Sequence, residues 1–314
     1  MPGYGAKGHV GLAKEVTWGT PVAATDYFAI ISESLIHEIE QVMEQEIRGV
    51  MDEPPQYEGL NSVRGDIVCL ARPAGIGFLL RSCLGAPVTT GAAAPYTHTF
   101  DTANDFADEC ALPPYTFEVN RNVNQAWQFA GCVVNELTFE LGVTQKLLKV
   151  TAGIMGKQVA LIAATAPTLE AADPFKWLQA AVLINAVAIN DIENLRIKIS
   201  NNLEFVEAMN GTKYPARIQR NGYRTVDLDL TFGVYNTTEY TRFTGQGETA
   251  ASITITQDVN NELKFNISKL RYVGMPLGMS GPGRQTVAIT AKAKYDATLG
   301  GAIEAVLKNS KATY

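Results

Sequence analysis

Leu195-Arg196-Ile197-Lys198-Ile199-Ser200 and Val226-Asp227-Leu228-Asp229-Leu230-Thr231 are two stretches in which every second side chain is apolar. A strand turns successive side chains to opposite faces, so each stretch predicts a strand with one face on a core and the other toward water. A long polar connection separates them. Behind the second, Thr237 or Thr238 can cap a helical turn carrying Tyr240 and Phe243, and Gly245 stands where a helix stops.

The same grammar occurs earlier in the chain. Shifting residues 33–85 by 160 positions lays them on residues 193–245 without a gap, and nine of 53 positions match. The matches are Glu33/Glu193, Leu35/Leu195, Ile39/Ile199, Glu44/Glu204, Pro55/Pro215, Asn61/Asn221, Arg64/Arg224, Leu70/Leu230 and Gly85/Gly245. Composition alone gives roughly three. In the earlier copy Leu35, His37 and Ile39 alternate with Ile36, Glu38 and Glu40, and Ile76, Leu79, Leu80, Cys83 and Leu84 recur at helical spacing behind Pro73.

Both halves then resume alike. Strands are predicted over 116–119 and 253–256, each followed by a polar turn, Asn122-Val123-Asn124 or Asp258-Val259-Asn260. Trp127/Leu263, Phe129/Phe265, Val134/Leu270 and Leu137/Val273 fall in register before closing strands near Val150 and Ile289. The expected fold is mainly β: two tandem β-sandwich or barrel-like domains, each with a short flanking helix. Residues 1–32 read as an extended N-terminal arm, 33–162 as the first domain, 163–174 as a linker rich in Ala and Pro, and 175–314 as the second. Ile303, Val306 and Leu307 fit a helix or a strand equally.

With 314 residues, 46% hydrophobic and 18% charged, the chain has the composition of a folded protein and the length of two ordinary domains. No apolar run reaches the 18 or so residues of a membrane span, and the N-terminus has no secretion-signal pattern, so the expected place of synthesis is a cytoplasm without membrane insertion. A net charge of −6 argues against holding a phosphate backbone, which needs Lys and Arg to displace counterions. Cys69, Cys83, Cys110 and Cys132 have no paired short spacing and read as reduced, buried thiols.

Catalytic patterns are missing. His9, His37 and His98 have no second ligand at metal spacing, and the glycine-rich run 278–284 lacks the Lys-Ser/Thr ending of a phosphate loop. Glu38, Glu40, Glu44 and Glu46 read as a solvated face rather than a paired acid and base. No cofactor and no enzymatic activity are expected.

The run Glu15-Val16-Thr17-Trp18-Gly19-Thr20-Pro21-Val22-Ala23, with Ser32-Glu33-Ser34-Leu35 close behind, resembles the opening of tail tube proteins of long-tailed bacteriophages. So does Ile199-Ser200-Asn201-Asn202-Leu203 leading to Arg224-Thr225-Val226-Asp227-Leu228-Asp229-Leu230. The resemblance implies a virion structural protein, assembled in the host bacterial cytoplasm, whose rings stack into a hollow tube through which DNA is ejected. It also implies the partners of such a tube: the tape measure protein and double-stranded DNA in the lumen, and tail terminator and tail tip proteins at the ends.

The resemblance implies single-domain relatives that close with six copies, so two copies in one chain predict a ring of three chains and six domains; the competing arrangement keeps six chains and places one half of each outside. A linker of this length spans on the order of 30 Å, enough to join neighbours. Trp18, Met43, Met51 and Tyr57, on the arm and the long connections 42–58, 205–220 and 86–114, are the expected inter-subunit contacts. Glu38, Glu40, Asp227 and Asp229 are the expected lumen-lining residues of an acidic channel. Two rivals from other classes are a monomeric acidic β-sandwich binding carbohydrate or another small ligand, with aromatic residues clustered at a cleft, and a hydrolase using the glutamates of 33–53.

Overall fold

The computed structural model describes residues 3–102, 112–233, 237–278 and 281–314. Cys110, part of the long loop 86–114 and part of the glycine-rich run lie outside the described residues. The first half contains β1 (His9–Lys14), β2 (Asp26–Phe28), β3 (Ile30–Glu33), β4 (Ile36–Met43), β5 (Gln56–Leu70), α1 (Ile76–Leu84), β6 (Val88–Thr90), β7 (Tyr96–Asp101), β8 (Tyr115–Asn120), β9 (Ala126–Gly142), β10 (Lys149–Gly156) and β11 (Gln158–Ile162). The second contains β12 (Ala180–Ile184), β13 (Val187–Ile189), β14 (Ile192–Ser200), β15 (Leu203–Val206), β16 (Arg217–Arg220), β17 (Thr225–Phe232), α2 (Thr237–Gly245), β18 (Thr249–Thr256), β19 (Glu262–Gly274), β20 (Val287–Ala293) and β21 (Glu304–Asn309). The fold is mainly β, with two short helices.

Strand pairing runs in one order in both halves, antiparallel throughout. In the first it is β2-β1-β8-β9-β10-β5-β3. In the second it is β13-β12-β18-β19-β20-β17-β14. β11 lies along β9 as β21 lies along β19, and the hairpin β4-β5 has its counterpart in β15-β16. The hairpin β6-β7 belongs to the first half alone, and its β7 pairs with β21 of the second.

The gapless 160-residue shift does not carry over to the faces. Leu35 and Leu195 are both buried, but Ile39 is exposed where Ile199 is buried. Leu70 is half-buried, whereas Leu230 faces the core. β4 buries neither of its faces, because it extends with the first part of β5 into a projecting hairpin. The structural partner of β14 is β3, which takes the equivalent place beside β5.

The halves share one sheet and one core. β9 receives β14 over seven positions, from Asn194 opposite Gly142 to Ser200 opposite Glu136. Leu137, Phe139 and Leu141 of β9 and Leu195, Ile197 and Ile199 of β14 turn inward, and the Phe139 ring meets Phe265 at 4.8 Å between centroids. Each fully buried side chain of this size is worth about 1.5–3 kcal/mol, so the joint between halves is as strongly held as any other part of the core.

The N-terminal segment is not a free arm. β1 is a core strand between β8 and β2, with Val10 and Leu12 at 0% exposure. Its sequence, His9-Val10-Gly11-Leu12-Ala13-Lys14, puts only two large apolar side chains, Val10 and Leu12, on one face, too few to be read as period two. Segment 163–174 is also docked: Glu170 accepts hydrogen bonds from the backbone N–H groups of Ala74 and Gly75, ahead of α1, and Phe175 is buried. Val306 and Leu307 lie in a strand, β21 (Glu304–Asn309), and Ile303 immediately precedes it. Gly85 closes α1 at φ 131°, but at α2 the left-handed residue is Gln246, one beyond Gly245.

Candidate functional site

The polar side of the joined sheet carries a ladder of opposite charges. On β10, β9, β14, β17 and β20, alternate residues face away from the core. Lys149 Nζ lies 3.1 Å from Glu140, and Arg196 lies 3.9 Å from Glu140 and 3.0 Å from Asp229. Lys198 lies 3.0 Å from Glu136, and Lys292 donates to Asp227 at 2.7 Å. Four carboxylates thus meet four cations, and this face is charge-balanced rather than acidic. The expectation of an acidic channel lined by Asp227 and Asp229 took no account of these cationic partners.

The missed cations were within reach of the sequence. Arg196 and Lys198 occupy the polar positions of the strand that sits beside Asp227 and Asp229, so pairing the two alternating stretches places opposite charges together. Exposed pairs of this kind contribute about 0–1 kcal/mol each. Their main consequence is the local charge: every carboxylate that pairs also occupies a lysine or arginine.

Glu38 and Glu40 lie elsewhere, on β4. Glu38 is 3.2 Å from Arg64, and Glu40 accepts a hydrogen bond from the Leu60 N–H. The hairpin they belong to exposes Ile36, Ile39, Val42, Met43, Ile47, Val50, Met51 and Tyr57, with Met51 fully exposed. A run of apolar side chains this long on a projecting element is unlike the scattered singles of an ordinary surface. Three of the four expected contact residues, Met43, Met51 and Tyr57, are in it.

Trp18, the fourth, is engaged within its own chain. Its indole N–H donates to the Gly131 carbonyl at 2.9 Å, Lys157 Nζ sits 4.4 Å from its ring centre, and it packs against Leu112, Val133, Met155 and Ile218. Glu15 completes the clamp by accepting from Gly19 N, Gly131 N and Thr116 Oγ1. Gly131 lies at φ 69°, and a Cβ there would meet the Trp18 Nε1 at 2.9 Å, so the bulged chain admits the indole only because this residue is glycine. The second-half connection is likewise turned inward: Leu203 and Phe205 pack on the Val133 cluster, the Arg64 guanidinium lies 4.7 Å from the centre of the Phe205 ring, and Lys213 bonds Glu58.

No group of three or more metal-ligating side chains occurs among the described residues. Cys69, Cys83 and Cys132 are free and buried, and burial pushes the first two thiols up to about 12, far from the reactive thiolate. No helix is long and apolar enough to cross a membrane. A groove of about 580 Å³ has Tyr223 and Tyr295 among Arg224, Lys292 and Lys294 in its lining, next to the charged ladder. The assembled features are thus a balanced polar sheet face, an apolar hairpin and a doubled strand order.

A family model described as phage tail tube protein matches residues 5–300. No curated protein matches the chain.

Proposed function

Because the chain belongs to the phage tail tube protein family, we propose that it polymerises as stacked rings into the hollow tail tube through which genome DNA passes during ejection. Three chains form each ring, and each chain supplies two tandem, duplicated units. One observation carries this reading: two series of strands in the same order, joined edge to edge by β9 and β14 within one chain. A ring needs a contact that repeats head to tail until it closes, and a chain holding two copies in that relation already contains one such step.

The hairpin β4-β5 supplies the contact along the axis, through Met43, Met51 and Tyr57. The polar face of the joined sheet lines the lumen, where a balanced ladder leaves few unpaired cations to hold a phosphate backbone. The hairpin β6-β7, present once per chain, marks alternate units and reduces the ring from sixfold to threefold symmetry. In the virion tail the partners of this tube are the tape measure protein within it and the terminator and tip proteins at its ends.

Electron microscopy of the purified protein at rising concentration tests the proposal. Rings or tubes support it; a monomer at every concentration overturns it.

A further inference from the structure

The β9-β14 joint has two unfilled counterparts on the same chain. The counterpart of β14 is β3, which among the described residues ladders only with β5. The counterpart of the outer part of β9 is the end of β19 with the residues that follow it. Ala152 opposite Leu137 corresponds to Ala291 opposite Tyr272, and Thr151 opposite Thr138 to Thr290 opposite Gly274. Carrying this on puts Met275 in the place of Phe139 and Leu277 in the place of Leu141. Burial agrees: Tyr272 and Met275 turn inward as Leu137 and Phe139 do. Among the described residues, 272–277 ladder only with β20, and Leu277 is 48% exposed where Leu141 is covered by Leu195.

We infer that residues 272–277 of one chain receive residues 30–35 of a second copy, in the register in which β9 receives β14. This rests on the tube reading and names the edges that close the ring. Leu195 opposite Leu141 becomes Ile30 opposite Leu277; Ile197 opposite Phe139 becomes Glu33 opposite Met275. The joint between chains is the weaker of the two. Glu33 replaces an inward isoleucine and is held by Arg121 at 2.7 Å, and β3 is bulged between Ile30 and Ser32. Pro276, in the place of Glu140, has no N–H to donate. At the other end Arg121 Nη2 already bonds the Leu35 carbonyl. One joint is therefore permanent and the other forms and separates with concentration.

Paired cysteines test it in the full chain with Cys110→Ser, the remaining thiols being buried. Ile30→Cys with Leu277→Cys should give covalent dimers and trimers on oxidation, ending at three chains. Ile31→Cys with Leu277→Cys, displaced by one residue, should crosslink about tenfold less, since a one-residue slip turns the side chain to the other face. Leu277→Arg should raise the concentration needed for assembly about tenfold, with the Tm of the unassembled chain unchanged. Equal yields from both cysteine pairs, or no crosslinks in samples that contain tubes, would overturn the joint and leave the tube reading standing. An unsubstituted chain that forms no rings or tubes would overturn the tube reading itself. Leu277→Arg assembling at the normal concentration would place the ring contact elsewhere.

Discussion

Arg196 Nη1 lies 3.0 Å from Asp229 Oδ2, across the two strands whose alternation first revealed the fold. The pair shows what the sheet does with charge. Each ladder rung occupies a cation with a carboxylate from the neighbouring strand, and the rungs continue without interruption across the β9-β14 joint.

Removing the carboxylates should therefore make the face adhesive. Asp227→Asn with Asp229→Asn frees Lys292 and leaves Arg196 only its 3.9 Å contact with Glu140, and the assembled double variant should retain double-stranded DNA that the unsubstituted tube releases. The gain should vanish as salt rises, and the Tm should change by no more than the loss of exposed pairs allows, about 1 kcal/mol each. Filter binding across a salt series reads this out. Equal retention by both proteins would remove the ladder from the lumen.

Truncation separates a free arm from a built-in strand. Deleting residues 1–20 removes Val10, Leu12, Glu15 and Trp18, and should abolish folding, because it strips a core strand and its clamp. Trp18→Ala alone should cost about 2–4 kcal/mol, below a fully buried tryptophan because its ring is only partly covered. Circular dichroism with thermal melting of the soluble variants checks both. A truncated chain with an unchanged Tm would show that β1 is dispensable.

Phe139→Ala should cost about 3–5 kcal/mol and shift a single transition for the whole chain. The reason is the shared core: Phe139 of the first half packs on Phe265 of the second, so neither half unfolds alone. Calorimetry showing two separate transitions, only one of them moved, would contradict a common core.

Acid should loosen the C-terminal tail through His98. The ring bonds Thr89 Oγ1 through Nδ1 and the Lys311 carbonyl through Nε2, with the Tyr314 ring packed against it in a T-shaped contact. Burial holds its pKa below the ordinary 6.5. Between that lowered value and 6.5 the unfolded chain binds more protons than the folded one, so stability rises with pH through this window and is lost as pH falls through it. Hydrogen exchange at residues 310–314 should accelerate as pH drops below about 6.5, after correction for intrinsic rates, and His98→Gln should flatten that response.

Much of the architecture was legible because period two is hard to mistake when one face is fully buried, as in β14, β17 and β19. The like strand order of the two halves is carried by the same alternation, although identities at a fixed shift pointed to β4 where the pairing points to β3. A bulge at Ile31 and the left-over length of the hairpin moved the faces by one residue, and no pattern of single residues reports that. β1 was missed because both of its faces are buried, and small Gly11 and Ala13 stand between Val10 and Leu12 where a half-exposed strand would show polar side chains. The balanced ladder was missed by reading Asp227 and Asp229 alone, without the strand beside them. The exposed hairpin was legible as a long connection with apolar residues, but Trp18 looked like a contact for a neighbour because its partner, Gly131, lies more than a hundred residues away.

Stacking should depend on the hairpin and not on stability. Met43→Ser, Met51→Ser and Tyr57→Ser together remove exposed apolar area outside the core, so the Tm should stay within about 2 °C while tubes shorten to single rings. Sedimentation beside a melting curve reads both. Full-length tubes from the triple variant would move the axial contact off β4-β5.

The central claim is that one chain supplies two of six equivalent positions around a tube. End-on electron microscopy of assembled protein measures it directly. The account predicts rings of three chains, with six similar sheet segments around the lumen and threefold symmetry marked by β6-β7. Rings of six chains, with the second half of each lying outside the tube wall, would contradict it.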